Sequence, residues 1–271
     1  MADATGVQQG DDEQVVLVDV ADGIATVTLH RPQIRNAING ALRRQLWAAL
    51  ERLEADDAVS VMILTGTDPA FCAGLDLKEL GAGRQQLDGP SPEGSGSTSP
   101  FPARTKPLIG AVNGPAITGG FELALNCDFL IASERAAFAD THARVGVMPG
   151  WGLSALLGDA VGSRRAREIS LSGNFVTAAE ALAWGLVNRV VPHNELLPTV
   201  RRIAADIVAN DQVGVRRMLA TYASQEEVRL ADAWRLETQG ARAFRREVRF
   251  SPEEVEARRR GIVERGRTQL S

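Results

Sequence analysis

A short apolar run, VSVMILTG at positions 59–66, is the feature that most constrains the fold of this chain. The run ends in glycine and lacks the regular apolar–polar alternation of a strand with one wet face, so it predicts a strand covered on both faces. Before it, residues 40–55 place leucine and alanine at helical spacing. Strands and helices therefore alternate, and we expect an α/β fold.

The rest of the chain extends this alternation. Residues 14–30 read QVVLVDVADGIATVTLH, two β-branched runs joined by Asp22-Gly23, which predicts a β-hairpin. Thr177 and Glu180 predict a capping box. Further strands are predicted in TKPLIGAVNG, FLIAS, AAFAD and LVNRVVP, and helices in TGGFELALNCD, GWGLSALLGDAVG, SRRAREISLSG and TAAEALAWGL.

The chain divides into two regions by composition. From residue 194 onward there is almost no strand signal and much Arg, Glu, Ala and Leu, so we expect a helical region over 195–271. Residues 1–194 form the predicted core. Within the core, a Gly/Ser/Pro-rich stretch at about 81–100 cannot pack a hydrophobic interior, and a loop of this length is usually functional or mobile.

Composition and motifs argue against several classes of protein. With 44% hydrophobic and 24% charged residues and no long apolar run, the chain is typical of a soluble protein without a membrane span. A formal charge of −4 argues against a general nucleic-acid surface.

The acidic start lacks the pattern of a secretory signal, so we expect a cytoplasmic protein. Cys72 and Cys127 form no CxxC pair, and neither metal spacing nor a nicotinamide motif is present, so we expect no metal and no cofactor.

Residues 113–133, NGPAITGGFELALNCDFLIAS, place Glu122 in an apolar run. An unpaired buried carboxylate costs several kcal/mol. A strand followed by a Gly-bearing turn and a helix leaves free amides at the helix start, which favour developing negative charge. One interpretation is a first-turn acid that stabilises the helix dipole by about 0.3 to 1 kcal/mol. The apolar neighbours favour the other, a carboxyl used for proton transfer.

A second glycine turn lies in DPAFCAGLDLKEL, residues 68–80. Ala73-Gly74 follows an apolar strand and could form a tight turn that points the next amide, on Leu75, into a cleft. Two converging amides would make an oxyanion hole. Taken alone, this stretch is a weak signal that an ordinary glycine turn explains better.

Together these stretches resemble the crotonase family, the enoyl-CoA hydratase and isomerase superfamily. The agreement runs in order through LHRPQIRNAIN, FCAGLDLKEL, KPLIGAVNGPAITGGFELALNCDFLIAS, FADTHARVGVMPG and GLVNRVVP. The resemblance implies a crotonase-like spiral of ββα units with a C-terminal helical trimerisation region. It also implies a homotrimer or a dimer of trimers.

The resemblance assigns roles to particular residues. The family holds the thioester carbonyl of an acyl-CoA with two backbone amides, which here are those of Leu75 and Gly119. Hydratases of the family carry two glutamates, of which the first is Glu122 and the second falls at His142. Histidine can take or give a proton near neutral pH, so a Glu122 and His142 pair is chemically reasonable. Asp140, on the same side of an extended strand as residue 142, is a possible alternative acid.

Contacts to coenzyme A are implied around the first glycine turn and the turn that follows the hairpin. Lys78 could contact phosphate or pair with neighbouring acids. The basic segment 257–267 could reach phosphate or form a solvated helical face. The residues that the resemblance assigns to coenzyme A or substrate binding are Arg35, Ala37, Ala73, Asp76, Leu77, Lys78 and Gly120.

The expected function is hydration of a 2-enoyl-CoA to a 3-hydroxyacyl-CoA in fatty-acid or related acyl-CoA metabolism. Coenzyme A is part of the substrate, so no separate cofactor is expected. Glu122 favours hydration over isomerisation. The alternatives are an enoyl-CoA isomerase and a catalytically impaired acyl-CoA-binding protein.

Overall fold

The hairpin predicted at the start of the chain is confirmed in the computed structural model, which describes residues 13–76, 99–247 and 252–269. Strands β1 (Val16–Ala21) and β2 (Ile24–Leu29) pair antiparallel in register. Asp22 and Gly23 join them with φ angles of 52° and 77°. Two successive positive φ values are what a two-residue hairpin turn needs, and Asp-Gly supplies them at low cost.

Six strands form the main sheet, in the order β1-β2-β3-β4-β6-β9. From β2 onward every neighbouring pair is parallel. A smaller sheet has the order β5-β7-β8. The remaining strands are β3 (Val61–Gly66), β4 (Leu108–Val112), β5 (Ala116–Ile117), β6 (Phe129–Ser133), β7 (Ala137–Ala139), β8 (Val176–Thr177) and β9 (Arg189–Val191).

Helices connect the strands and dominate the end of the chain. Asn39 caps α1 by accepting a hydrogen bond from the Leu42 amide (2.9 Å), and Thr177 with Glu180 forms the predicted capping box. Short 3₁₀ turns lie at Pro32–Ile34 and His193–Glu195. The helices are α1 (Gly40–Ala55), α2 (Gly119–Leu125), α3 (His142–Val145), α4 (Leu153–Val161), α5 (Ser163–Ser172), α6 (Ala178–Ala183), α7 (Leu196–Val208), α8 (Gln212–Glu247) and α9 (Pro252–Gln269).

Strand β3 is buried on both faces, as its apolar run predicts. Met62 and Leu64 belong to the larger apolar cluster, which includes α1, whereas Val61 and Ile63 belong to a second cluster. Helix α7 covers that second face with Leu196, Val200 and Ala204. Residues 196–208 therefore pack with the strands, and the division of the chain after residue 194 stays a prediction.

The predicted α/β class and helical C-terminal region are confirmed. In the part of the chain that the structure describes, no helix has the length and apolar character needed to cross a membrane. The predicted loop at 81–100 lies almost wholly outside the described residues, which resume at residue 99.

Candidate active site

Glu122 lies in the first turn of α2, directly after the small sheet. The chain enters this helix through Thr118, whose backbone has a φ of 53° and whose amide donates to the Ala139 carbonyl of β7 (2.8 Å). Gly119 and Gly120 follow, and Gly120 packs against the backbone of Cys72. This geometry buries Glu122, which is only 3% exposed. The predicted burial of a carboxylate is therefore correct.

Three groups hold the Glu122 carboxylate. The amides of Gly150 and Trp151 donate to Oε1 at 3.2 and 2.8 Å. Oε2 faces Nε2 of His142 at 3.5 Å. Hydrogen bonds and an opposite charge offset the cost of burying the carboxylate. Glu122 therefore contacts segments far from its own helix, which a first-turn acid serving only the dipole would not need.

His142 connects Glu122 to Asp140. Its Nδ1 lies 2.6 Å from Oδ1 of Asp140, and both residues are at least 96% buried. Burial acts to lower the pKa of His142, but hydrogen bonds and charges of Asp140 and Glu122 outweigh it and raise the pKa to about 10. Burial acts to raise the pKa of Asp140, yet its contacts with His142 hold that pKa below the usual value. His142 thus lies buried between Asp140 and Glu122, and its raised pKa favours the protonated imidazolium.

The backbone around His142 differs from the sequence-based expectation. An extended strand through residues 140–142 was predicted, but β7 ends at Ala139 and His142 begins α3. The Asp140 carboxylate accepts from the His142 amide (3.1 Å), a local bond that favours a turn over a strand. The prediction of an extended register was wrong, although the two side chains do meet.

The second predicted turn lies against the first. Gly74 has a φ of 88°, and a Cβ built on it would lie 2.7 Å from the Ile117 carbonyl and 3.5 Å from the Gly119 nitrogen. Among the residues that the structure describes, none accepts a hydrogen bond from the amide of Leu75 or of Gly119. Within the described residues, two neighbouring turns thus each present an amide without an acceptor, which is what an oxyanion hole requires.

The residues assigned to coenzyme A binding divide into three groups. Arg35, Ala37, Ala73 and Asp76 lie on one short ladder, in which the Ala73 amide donates to the Arg35 carbonyl (2.9 Å) and Ile38 pairs with Leu75. Gly120 is buried behind this ladder. Leu77 and Lys78 lie outside the described residues. Binding of coenzyme A by any of them stays a prediction.

The ladder depends on residues that the sequence reading missed. Arg31 donates to the Ala37 carbonyl (2.6 Å) and pairs with Asp76 (3.2 Å). Asn36 is fully buried with a φ of 57°, and its side chain donates to the carbonyls of Thr67 and Ala70, both at 2.7 Å. The sequence signal for this turn was the asparagine in PQIRNA, because asparagine tolerates the positive φ that the turn requires.

The basic segment 257–267 lies in α9 and packs partly on α3. Arg258 donates to the Val145 carbonyl (2.7 Å), and Arg259 pairs with Glu256. Arg258 therefore contacts the helix that begins with His142, three residues before Val145. Contact of this segment with phosphate stays a prediction.

Comparisons with known proteins agree with this geometry. The model of the family described as enoyl-CoA hydratase/isomerase matches residues 19–264. A probable peroxisomal enoyl-CoA hydratase of Arabidopsis thaliana is 40% identical over 227 residues, covering 82% of this chain and 83% of that protein. A probable enoyl-CoA hydratase of Rhizobium meliloti (strain 1021) is 39% identical over 225 residues, covering 83% and 87%.

A solved structure supports the fold as well as the sequence match. The enoyl-CoA hydratase from Mycobacterium tuberculosis H37Rv superimposes with a TM-score of 0.79 at 51% identity, covering 86% of this chain and 99% of that one. The predicted crotonase-like fold is thereby confirmed. The chain belongs to the enoyl-CoA hydratase/isomerase family, within the crotonase superfamily.

Proposed function

We propose that this protein hydrates 2-enoyl-CoA thioesters to 3-hydroxyacyl-CoA. The observation that carries the proposal is the buried triad of Asp140, His142 and Glu122, together with two amides that have no acceptor in the part of the chain that the structure describes. The names of the relatives from Arabidopsis and Rhizobium support the same reaction. Fatty-acid or related acyl-CoA metabolism is the corresponding setting.

The two amides would stabilise charge on the thioester oxygen. When water adds to C3 of the enoyl group, electrons move through the double bond and the carbonyl oxygen becomes an enolate oxygen. The amides of Leu75 and Gly119 donate to that oxygen, and the start of α2 adds its positive end. Loss of one such donor costs about 2.7 to 4 kcal/mol of barrier in a protease example.

Glu122 and His142 would carry the two protons. Glu122 takes a proton from water as its oxygen bonds to C3, and the His142 imidazolium gives its proton to C2 of the enolate. The product has gained one water, Glu122 is protonated and His142 is neutral. Because Oε2 and Nε2 lie 3.5 Å apart, the proton on Glu122 can return to His142 and restore the starting state.

Asp140 has a different part in this mechanism. A carboxyl whose pKa is held below its usual value is ionised near neutral pH and has no proton to give. Its short bond to Nδ1 instead fixes the imidazole ring with Nε2 directed at Glu122. We therefore assign Asp140 to positioning of His142 rather than to proton donation.

Crotonyl-CoA and a longer 2-enoyl-CoA test the proposal through the loss of conjugated-enone absorbance. We expect turnover by the wild type and at least a hundredfold decrease in kcat for His142→Ala, the usual size of an acid–base contribution. His193→Ala is the matched control, because His193 also bonds an aspartate, Asp68 at 2.9 Å, outside the site.

Other outcomes separate the alternatives. Unchanged turnover in His142→Ala would remove His142 from the mechanism. A wild type that moves the double bond without adding water would be an isomerase. A wild type that binds acyl-CoA and converts neither substrate would be a binding protein.

We also propose a homotrimer or a dimer of trimers in the cytoplasm. Exposed apolar side chains on α8 support self-association, because Met218, Tyr222 and Leu236 follow helical spacing on one face. The cytoplasmic location stays a prediction, and the Arabidopsis relative is named peroxisomal. The absence of a metal and of a separate cofactor stays a prediction.

A further inference from the structure

A second buried carboxylate, Glu237, lies close to the candidate site on the long helix α8. It is 7% exposed. Its Oε1 accepts from the Gly152 amide (2.6 Å), and its Oε2 accepts from both the amide (2.6 Å) and the hydroxyl of Ser154. These donors lie at the start of α4, 83 to 85 positions earlier in the chain. A residue of the C-terminal region thus caps a helix of the core.

The segment formed by residues 150–154 donates hydrogen bonds to both Glu237 and Glu122. The amides of Gly150 and Trp151 donate to Glu122, and those of Gly152 and Ser154 donate to Glu237. Five residues, 150–154, therefore bridge two buried carboxylates with backbone donors. A movement of this segment toward or away from α8 would displace both Glu122 donors.

Packing restricts such movement. A Cβ built on Gly152 would lie 2.0 Å from the ring of Trp234. The Trp234 ring of α8 therefore packs directly on the backbone of Gly152 and leaves no space for a side chain there. On the opposite side, Asn126 at the end of α2 donates to the Trp151 carbonyl (2.9 Å). The segment is fixed from α2 and from α8 at once.

We propose that Glu237 is a positioning residue for Glu122, acting through the 150–154 segment. By fixing Gly152 and Ser154 it sets the place of the Gly150 and Trp151 amides, which orient the Glu122 carboxylate so that Oε2 faces His142. The catalytic consequence rests on the proposed function. The mechanical consequence, that Glu237 fixes the donors of Glu122, does not.

A purely structural role for Glu237 would be that of a helix cap that docks α8. Such a cap stabilises the chain but leaves the Gly150 and Trp151 amides protected, because their acceptor is Glu122 and not Glu237. The two roles therefore differ in what happens at residues 150 and 151 when Glu237 is changed.

Hydrogen–deuterium exchange resolved to single amides tests the mechanical part without any assay of activity. In Glu237→Gln, one oxygen acceptor becomes an amide donor that faces a backbone donor, so we expect the Gly150 and Trp151 amides to exchange at least tenfold faster. Glu227→Gln, at an exposed position of the same helix, is the control and should exchange like the wild type. Unchanged protection at residues 150 and 151 in Glu237→Gln would overturn the proposal.

A double-mutant cycle tests the catalytic part in an active wild type. We expect Glu237→Gln to lower kcat about tenfold with less than a twofold change in KM, and to have no further effect in a Glu122→Gln background. Equal losses in both backgrounds would contradict action through Glu122. A wild type without turnover would count against the proposed function alone, and the exchange measurement would still decide the mechanical part.

A variant that keeps Glu237 covers the case in which Glu237→Gln does not fold. Ser154→Ala removes only the hydroxyl donor to Oε2. We expect about threefold faster exchange at residues 150 and 151 from this smaller change. No change there, in a folded Ser154→Ala protein, would then overturn the proposal.

Discussion

At the scale of single residues, the most unusual feature is that the His142 imidazole is both buried and protonated. A buried imidazolium is stable only because a carboxylate lies at each ring nitrogen, Asp140 at 2.6 Å and Glu122 at 3.5 Å. The protonation of His142 therefore depends on its contacts with both acidic side chains. Folding and protonation of His142 are consequently linked.

This linkage predicts how stability depends on pH. The pKa of His142 is raised to about 10 in the folded chain, against about 6.5 for an unperturbed histidine. The stabilisation is therefore fully present below pH 6.5 and is lost as the pH rises from about 6.5 to about 10. We expect a loss of the order of 4 kcal/mol over that window in the wild type that is absent in His142→Gln.

Urea unfolding of both proteins between pH 6.5 and pH 10 measures this difference. The buried thiols also respond at the alkaline end, because burial raises the pKa of Cys72 to about 12 and raises that of Cys127 too. They are common to both proteins, so the difference between the two curves isolates His142. Parallel curves for wild type and variant would contradict the linkage.

At the scale of elements, two turns and one short helix place the groups that we propose to react. Gly74 precedes the Leu75 amide, and Thr118 precedes the Gly119 amide, both with positive φ. The parallel bridge between Cys72 and Ala116 holds the two turns together. The geometry of the proposed oxyanion hole is therefore a property of backbone conformation.

Replacement of Gly74 tests that dependence. Gly74→Ala forces an alanine to a φ of 88° and places its Cβ 2.7 Å from the Ile117 carbonyl. We expect the free energy of unfolding to fall by about 1 to 3 kcal/mol and kcat/KM to fall at least tenfold, because the Leu75 amide moves.

Gly158→Ala in α4 is the matched control for this change. A Cβ there meets no atom within 4 Å, and we expect it to be neutral or to stabilise by up to about 1 kcal/mol. Urea unfolding and crotonyl-CoA kinetics measure both variants. Full activity in Gly74→Ala would contradict a role for this turn.

The sequence predicted those elements whose signals are local. Asp22-Gly23 and the Thr177 capping box are short motifs that determine their own conformation, and both are confirmed. Helix α3 carries no comparable signal in its four residues. Its position depends on the Asp140 side chain and on Arg258, which bonds Val145 from 113 positions further along the chain.

The candidate site was predictable to a similar extent. Glu122 was recognisable as an acid in an apolar run, and its pairing with His142 followed from the family register. Glu237 was not recognisable, because it is one acid among many in a charged helical region. Only the packing of α8 on the 150–154 segment distinguishes it.

At the scale of the whole molecule, α8 presents two faces of different character. One face carries Glu237 and Trp234 to the candidate site, and another exposes Met218, Tyr222 and Leu236. Exposed apolar residues in such a row are typical of a surface for association. Assembly and site geometry would then depend on the same helix.

Sedimentation velocity tests the assembly. We expect the wild type to sediment as a trimer or a hexamer, and Tyr222→Glu to shift it to smaller species, because the residue is 67% exposed and a charge there opposes burial in an interface. Glu227→Gln is again the control. A wild type that sediments only as a monomer would contradict the predicted oligomer.

The main-chain origin of the proposed donors has a consequence for protein engineering. The amides proposed to bind the thioester oxygen belong to Leu75 and Gly119, and those that bond Glu122 belong to Gly150 and Trp151. A side-chain replacement at Leu75 or Trp151 leaves the amide in place. A library that varies these two partly buried side chains would therefore change the packing around the proposed donors while retaining the backbone amides themselves.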